Sequence, residues 1–195
     1  MKANRTKEKL LQIGVNQASI NGISGITLGT LASESGMSKS GLFAHFGSKE
    51  QLQIDLLNES AQIGQQYVVE PAMRAGVGLP RLKKLVNLWF GWWRRADLGG
   101  GCPVAAALFE LDDIENVVAA HAREMDRQWR ALLAQLVREA IEAKHFSADT
   151  DVDQFVWELC GIYLAHHVSS RFSRDKTSDS RAKRAFAALL ARHEP

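Results

Sequence analysis

Two short helical patterns separated by one glycine lie near the start of the sequence, and they constrain the fold more than any other feature. Leu28, Leu31 and Ala32 fall at helical spacing and predict the buried face of a first helix. Gly36 follows, and glycine readily adopts the left-handed backbone conformation that closes many helices. Ser38 is a suitable N-cap for a second helix. The pattern therefore predicts a helix-turn-helix.

The second predicted helix has an apolar side and a small, basic side. Leu42, Phe43 and Phe46 lie at relative positions i, i+1 and i+4, so they predict the side that packs on a core. Small residues on the other side leave little bulk to keep the helix out of the DNA major groove, and lysine can approach phosphates or a guanine edge. These outward residues are Lys39, Ser40, Ala44 and His45.

The composition is that of a globular chain with a weak charge asymmetry. The 195 residues are 46% hydrophobic, which is enough for a substantial core, and the formal net charge is +2. Within residues 1–50, Lys and Arg exceed Asp and Glu by three. That excess suits phosphate contact, although a solvated, lysine-rich helix start is an equally common cause. Charge alone therefore leaves a nucleic-acid partner open.

The sequence has neither a recognisable targeting signal nor a metal-binding cysteine pattern. The polar start M-K-A-N-R-T-K-E-K is followed by no apolar signal region, and no apolar run reaches membrane-spanning length. Cys102 and Cys160 are far apart and have no partner at zinc-finger spacing. We therefore expect free thiols, a cytoplasmic location, and no membrane partner, metal or cofactor.

Helical periodicity continues along the chain, and no segment alternates like a strand. A helix is predicted from residue 6 to about residue 21, and a long helix begins near residue 49 and fades at Glu70-Pro71. All five tryptophans lie after residue 80, where the composition shifts. The sequence therefore predicts an all-α protein of about nine helices. The later helices are expected near residues 80–97, 103–111, 113–144, 151–173 and 178–193.

Residues 25–52 read G-I-T-L-G-T-L-A-S-E-S-G-M-S-K-S-G-L-F-A-H-F-G-S-K-E-Q-L. This stretch resembles the N-terminal DNA-binding domain of the tetracycline-repressor (TetR) family of transcriptional regulators, because it joins a helix-turn-helix to H-F-x-S-K-E-x-L. Direct resemblance covers about residues 5–58, and the rest of the chain is similar in architecture only. The resemblance implies a three-helix DNA-binding domain over residues 1–50 and a helical ligand-binding and dimerisation domain over residues 51–195.

The resemblance also implies which residues meet DNA. Lys39, Ser40 and Ala44 would contact bases, and Lys49, at a helix start, would reach a phosphate. The sequence departs from the family pattern at Phe43, where tyrosine is usual, and thereby loses a hydroxyl that would meet phosphate. The predicted DNA-facing residues are Thr27, Lys39, Ser40, Phe43, Ala44, His45 and Lys49.

Aromatic residues are dense in the second half of the chain, and small-molecule pockets are largely apolar and aromatic. Ordinary core packing is the alternative for each of these residues. Four aromatics within residues 89–93 cannot all point into one core, so at least one is expected to face a pocket or a partner. The predicted effector-binding residues are Trp89, Trp92, Trp93, Phe109, Met125, Trp129 and Tyr163.

The last two predicted helices each carry an apolar stripe at helical spacing. Two such helices from each of two subunits would form a four-helix interface. We therefore predict a homodimer. The predicted interface residues are Phe155, Leu159, Ile162, His166, Phe186 and Leu189.

Residues 99–103, G-G-G-C-P, predict a loop. No Gly-Lys-Ser/Thr follows and no strand precedes it, so a phosphate cradle is not indicated and we expect a flexible hinge. Cys102 lies at the start of the next predicted helix, which is the one feature that favours a lowered thiol pKa and a redox role. No spacing of Ser, His, Cys or carboxylates indicates a catalytic arrangement, so an enzyme is not expected.

These features predict a homodimeric, ligand-responsive transcriptional regulator. We expect it to bind a palindromic double-stranded DNA operator as a repressor and to be released by a small apolar or aromatic effector. A regulator controlled by a protein partner or by oxidation of Cys102 is the alternative. An all-helical enzyme or carrier that merely contains a helix-turn-helix has no supporting catalytic pattern. The effector, the operator, the target genes and the direction of regulation stay open.

Overall fold

The computed structural model describes residues 2–195, with side chains from residue 5 onward, and its regular structure is helical. Over this range it has eleven α-helical segments, one π-helical turn and no β-strand. Ten helices are separate, because α4, the π turn and α5 follow one another without a gap. The all-α prediction is confirmed. The segments are α1 (Lys2–Asn21), α2 (Leu28–Ser35), α3 (Lys39–Phe46), α4 (Lys49–Gly64), the π turn (Gln65–Val69), α5 (Glu70–Met73), α6 (Leu79–Trp89), α7 (Trp92–Arg95), α8 (Pro103–Glu110), α9 (Val117–Glu142), α10 (Val152–Arg171) and α11 (Ser178–Ala191).

The chain divides by packing into two compact units. The first contains the chain up to residue 63 together with residues 93–125, and the second contains residues 64–92 and 126–195. This division does not follow the boundary after residue 50, which stays a prediction about function. No helix within the described residues is long and apolar enough to cross a membrane.

The first unit is built on a core to which α1–α4, α8 and α9 all contribute. Leu31, Leu42 and Leu56 are completely buried in it. Burying a leucine side chain stabilises the fold by about 1.5–3 kcal/mol relative to leaving it exposed. The buried amide of Gln53 donates a hydrogen bond of 2.8 Å to the backbone carbonyl of Ile23. This bond ties α4 to the turn between α1 and α2.

In the second unit, α10 and α11 pack against each other. α10 begins after Asp151, whose carboxylate accepts a hydrogen bond of 3.0 Å from the amide of Gln154. Phe155 is completely buried, and its ring centroid lies 5.3 Å from that of Phe146. His193, which follows α11, lies 5.1 Å from Phe155 between ring centroids. The inward face of α10 therefore forms part of the core of this unit.

The helix predicted over residues 80–97 is broken in the middle. α6 ends at Trp89, Phe90 is extended with ψ of 115°, and Gly91 has a left-handed φ of 65°. A side chain would strain that conformation, so the glycine permits the break. All four aromatics of the segment are buried. They need not share one core face, because Trp93 belongs to the first unit and the other three belong to the second.

The helix that begins at Lys49 continues past Glu70-Pro71, so its predicted end is wrong. A π turn over Gln65–Val69 carries it into α5, which ends at Met73. Proline lacks an amide hydrogen, and inside an α-helix its ring clashes with the carbonyl four residues earlier. The wider π turn changes that geometry immediately before Pro71. The helix therefore passes the proline instead of stopping at it.

Candidate functional site

Both helices of the helix-turn-helix have side-chain caps. Oγ1 of Thr27 accepts a hydrogen bond of 3.0 Å from the amide of Thr30, and the amide of Thr27 donates one of 2.9 Å to Oγ1 of Thr30. Oγ of Ser38 accepts a hydrogen bond of 3.1 Å from the amide of Gly41. Gly36 closes α2 with φ of 68°. These short-range contacts define where α2 and α3 begin and where α2 ends.

α3 turns one face to the core and the other to solvent. Leu42 and Phe46 are buried, as predicted. Phe43 is 59% exposed, so the prediction that it anchors α3 to the core is wrong. Its exposed position is compatible with the DNA-facing role, which stays a prediction. The other exposed residues on this face are Lys39, Ser40 and Ala44.

Two of the predicted DNA-facing residues are only half exposed. Thr27 uses its hydroxyl in the cap of α2, where Oγ1 accepts from the amide of Thr30 at 3.0 Å and donates to Oγ1 of Thr30 at 3.4 Å. His45 lies beside Phe46, with 6.4 Å between the ring centroids. Thr27 and His45 therefore also have contacts within the fold, and the sequence pattern alone could not distinguish these from contact with DNA.

Lys49 is exposed at the first residue of α4. The preceding Ser48 accepts a hydrogen bond of 3.0 Å on Oγ from the amide of Gln51. A helix N-terminus carries partial positive charge and attracts anions such as phosphate. The helix start and the lysine ammonium together therefore make a surface suited to a phosphate group.

Lys7 of α1 supports this region from a position that the sequence did not reveal. Its Nζ pairs with a carboxylate oxygen of Asp55 at 2.6 Å and lies 5.4 Å from the ring centroid of Phe46. Asp55 also accepts a hydrogen bond of 2.7 Å from the side chain of Gln51. α1 is thereby linked to both α3 and α4. No local pattern signals these contacts, because Lys7 and Asp55 are far apart in the chain.

The loop of three consecutive glycines is bonded to α1. The amide of Gly99 donates to Oδ1 of Asn16 at 2.8 Å, and the amide of Gly100 donates to Oγ of Ser19 at 2.9 Å. The amide of Gly101 donates to the backbone carbonyl of Ser19 at 2.8 Å. The loop belongs to the first unit and has three bonds to one helix, so the prediction of a flexible hinge is wrong.

Both cysteine thiols are shielded from solvent. Cys102 caps α8, where its Sγ accepts a hydrogen bond of 3.4 Å from the amide of Ala105. Burial raises the pKa of the Cys160 thiol to about 11, although the nearby Arg130 opposes the shift. Within the described residues, no group of three or more His, Cys, Asp or Glu side chains is arranged to hold a metal ion.

Three of the predicted effector-binding residues meet in the second unit. Trp89 stacks on Tyr163, with ring centroids 3.8 Å apart and planes 10° apart. Trp129 meets Trp89 edge-on at 4.9 Å. Nε1 of Trp129 is buried and has no hydrogen-bond partner in the described structure. We call Trp89, Trp129 and Tyr163 the aromatic cluster.

The other four predicted effector-binding residues lie in different surroundings. Trp92 is buried in the second unit. Trp93 is buried in the first unit, where Met125 packs against the core of α1–α4. Phe109, also in the first unit, is 52% exposed. A role for these four in effector binding stays a prediction.

His167 lies next to the aromatic cluster, with 6.4 Å between its ring centroid and that of Tyr163. Burial lowers the pKa of His167 to about 4, and the electrostatic interactions with Arg171 and His166 act in the same direction. At neutral pH the imidazole is therefore uncharged. His167 therefore adds no positive charge beside the aromatic cluster at that pH.

The residues predicted for the dimer interface lie mostly inside the subunit. Five of the six are buried, and only Ile162 is partly exposed. The apolar stripes of α10 and α11 therefore pack mainly within one chain, which does not support contact between these five side chains and a partner, and their interface role stays a prediction. The five are Phe155, Leu159, His166, Phe186 and Leu189.

The outer sides of α10 and α11 form a groove instead. α10 forms one wall of this groove. Trp157, which is 67% exposed, lies at one end of that wall, and Gly161 and Ala165 follow at successive helical turns. Arg181 and Ala185 of α11 line the other side. Ile162 and His166 also contribute to the lining. We call this surface the α10–α11 groove.

Two family descriptions match the sequence. "Bacterial regulatory proteins, tetR family" matches residues 10–56, and "Tetracyclin repressor-like, C-terminal domain" matches residues 78–186. No curated protein matches the chain in sequence.

Solved structures show the same fold at low sequence identity. A TetR-family regulator from Cytophaga hutchinsonii is 19% identical, with a TM-score of 0.85 over 100% of this chain and 97% of the other. The fatty acid degradation regulator FadR from Bacillus halodurans is 17% identical, with a TM-score of 0.76 over 94% and 97%. AibR, solved with isovaleryl coenzyme A and operator DNA, is 16% identical, with a TM-score of 0.71 over 93% and 95%. At these identities the likeness establishes the fold alone.

Proposed function

We propose that this chain is a homodimeric, ligand-responsive repressor of transcription. The proposal starts from the fact that the chain belongs to the tetR family of bacterial regulatory proteins. In this proposal it binds a near-palindromic operator and leaves it when an apolar or aromatic effector binds. Regulators of this family are in general DNA-binding proteins rather than enzymes, and no step of the proposal requires a reaction.

The observation that carries the DNA-binding part is the exposed face of α3. Lys39, Ser40, Phe43 and Ala44 lie together on a helix that is capped at its start and buried along its other side. The recognition helices of two subunits would read half-sites about one turn of DNA, roughly 34 Å, apart. Lys49 would contact a phosphate, which sets position but carries no sequence information.

The effector part is supported by the aromatic cluster. Trp89, Trp129 and Tyr163 form stacked and edge-on ring pairs, and Nε1 of Trp129 is a buried donor with no partner among the described residues. We infer an effector with an apolar or aromatic body and a hydrogen-bond acceptor for that donor. The protein would have one conformer that binds operator and one that does not. An effector can lower operator affinity at most by the ratio of its own affinities for these two conformers.

The dimer part is assigned to the α10–α11 groove and its rim. Small residues such as Gly161 and Ala185 allow helices of a second subunit to approach closely, and the exposed ring of Trp157 offers apolar area to bury. A two-fold axis through such a surface makes the contact self-complementary. The assembly would then place two copies of α3 on one DNA duplex.

The test begins with selection of a preferred duplex from a random library. Lys49→Ala should weaken binding to the selected duplex and to random duplex by similar factors, and should reduce the salt slope by about 1. Lys84→Ala, an exposed lysine of α6, is the matched control and should change neither quantity. Wild-type protein that prefers no duplex would contradict the proposal.

The effector part is tested by screening apolar compounds for loss of the selected duplex together with quenching of tryptophan fluorescence. If none acts but peroxide releases DNA from wild type and not from Cys102→Ser, oxidation is the control mechanism. If neither releases DNA, a protein partner is the remaining mode of control.

A further inference from the structure

The side chain of Lys39 lies across the first turn of α2. A Cβ atom built on Gly29 would stand 3.3 Å from Cε and 3.6 Å from Nζ of Lys39, and 3.5 Å from Oγ1 of Thr27. The lysine therefore passes over Gly29 so closely that an added methyl group would make the end of the lysine side chain shift by a few tenths of an ångström. Lys39 is the first residue of α3, and Gly29 is the second residue of α2.

The backbone of α2 does not itself require a glycine at this position. Gly29 lies inside a helix and has no positive φ, unlike Gly36 at the end of the same helix. Glycine is a poorer helix former than alanine, so this choice weakens an eight-residue helix. The contact with Lys39 supplies a reason that helix formation does not.

Lys39 is also free to interact with an external acceptor. Among the described residues no carboxylate pairs with it, and its side chain is exposed. Lysine has a flexible four-carbon stem, and fixing that stem opposes binding through loss of conformational entropy. A stem that already rests on α2 has less freedom to lose when its ammonium group meets a base edge or a phosphate.

We propose that Gly29 is a specificity-determining position: by having no side chain, it sets the place from which Lys39 reaches a base edge in the operator. The inference rests on the proposed DNA-binding function. Gly29 acts as a positioning residue, because it works through Lys39. Replacing it by alanine should shift the end of the lysine side chain from its present place by a few tenths of an ångström, while leaving the helix intact.

The test is a double-mutant cycle on duplex selected with the wild-type protein. Gly29→Ala should weaken binding to this duplex about fivefold and change the base preference at one position in each half-site. In the Lys39→Ala background, the same substitution should leave both affinity and base preference unchanged. Random duplex should respond much less than the selected duplex, because base contacts supply the difference.

Two measurements separate this role from a structural one. Thermal unfolding should show Gly29→Ala to be at least as stable as wild type, since alanine favours the helix. Gly64→Ala, in a helix with open space around the added methyl group, is the matched control and should leave DNA affinity unchanged.

Equal effects of Gly29→Ala with and without Lys39, or no effect on operator affinity, would overturn the inference while leaving DNA binding itself in place. Wild-type protein that selects no duplex would overturn both the inference and the function on which it rests. Lower thermal stability together with equal losses on selected and random duplex would show a structural role instead.

Discussion

Gly100→Ala is the substitution for which the structure predicts the sharpest consequence. A Cβ atom at this position would stand 1.7 Å from the backbone oxygen of Ser19, 2.0 Å from its carbonyl carbon and 2.5 Å from the amide nitrogen of Ile20. These atoms belong to the backbone of α1 and cannot move aside without breaking the helix. Gly100 has no positive φ, so the conflict is one of space alone.

The magnitude follows from the bonds that the loop would lose. Lifting the loop off α1 breaks the three hydrogen bonds donated by Gly99, Gly100 and Gly101. Each is worth about 0.5–1.5 kcal/mol net. Alanine restricts the unfolded chain more than glycine does, which offsets about 0.4–1 kcal/mol. We expect a loss of about 2 kcal/mol in the free energy of unfolding.

Urea unfolding followed by circular dichroism, at one fixed protein concentration, measures this loss. Gly99→Ala is the matched control, because its Cβ would meet the end of the Ile20 side chain at 3.1 Å, which can rotate away. We expect that variant to lie within about 0.5 kcal/mol of wild type. A Gly100→Ala protein as stable as wild type, or a Gly99→Ala control as unstable as Gly100→Ala, would refute the steric argument.

Three further predictions concern DNA contact, assembly and pH. Phe43→Tyr should tighten binding to operator and random duplex alike, by up to about tenfold, because an added hydroxyl can donate to phosphate; a gain on operator only would place residue 43 against bases. Trp157→Asp should shift the protein toward monomer in sedimentation at micromolar concentration and leave the subunit folded. Phe186→Asp should instead unfold the subunit, because the side chain of Phe186 is buried. A Trp157→Asp dimer as tight as the wild-type dimer would show that the interface lies elsewhere. Because the folded pKa of His167 is lowered to about 4 from 6.5, the unfolded chain takes up the proton first, so its contribution to stability is complete above about pH 6.5 and is lost as the pH falls toward 4. The free energy of unfolding should drop by about 2.5 kcal/mol between pH 7 and 4.5 from this residue, and His167→Gln should remove that part of the pH dependence.

The sequence by itself determined the helix-turn-helix, because the interactions that build it are short in range. Thr27 and Ser38 accept hydrogen bonds from amides three residues later, and Gly36 supplies the left-handed residue between α2 and α3. Each of these contacts depends on neighbours that spacing alone places correctly. The all-helical class followed for the same reason, since helical periodicity is a local property of the chain.

Local spacing could not distinguish a core face from an interface. Phe155, Leu159 and Phe186 form apolar stripes at helical spacing, and such a stripe is expected whether it packs on its own chain or on another. Only the packing of α10 on α11 showed that these side chains lie within one subunit. The outer residues Trp157 and Gly161 give a weaker sequence signal, because one isolated aromatic residue and a glycine do not form an apolar stripe.

Only the tertiary structure decided what the glycines do. The left-handed φ at Gly91 divides what looked like one helix, and Gly100 lies against Ser19, which is far away in sequence. Gly29 owes its proposed role to a lysine on another helix. A glycine in a sequence can indicate a position where a neighbouring group needs space or where the backbone adopts an unusual angle. Which neighbouring group this is depends on how distant segments pack. Short-range spacing in the sequence carries no information about that packing.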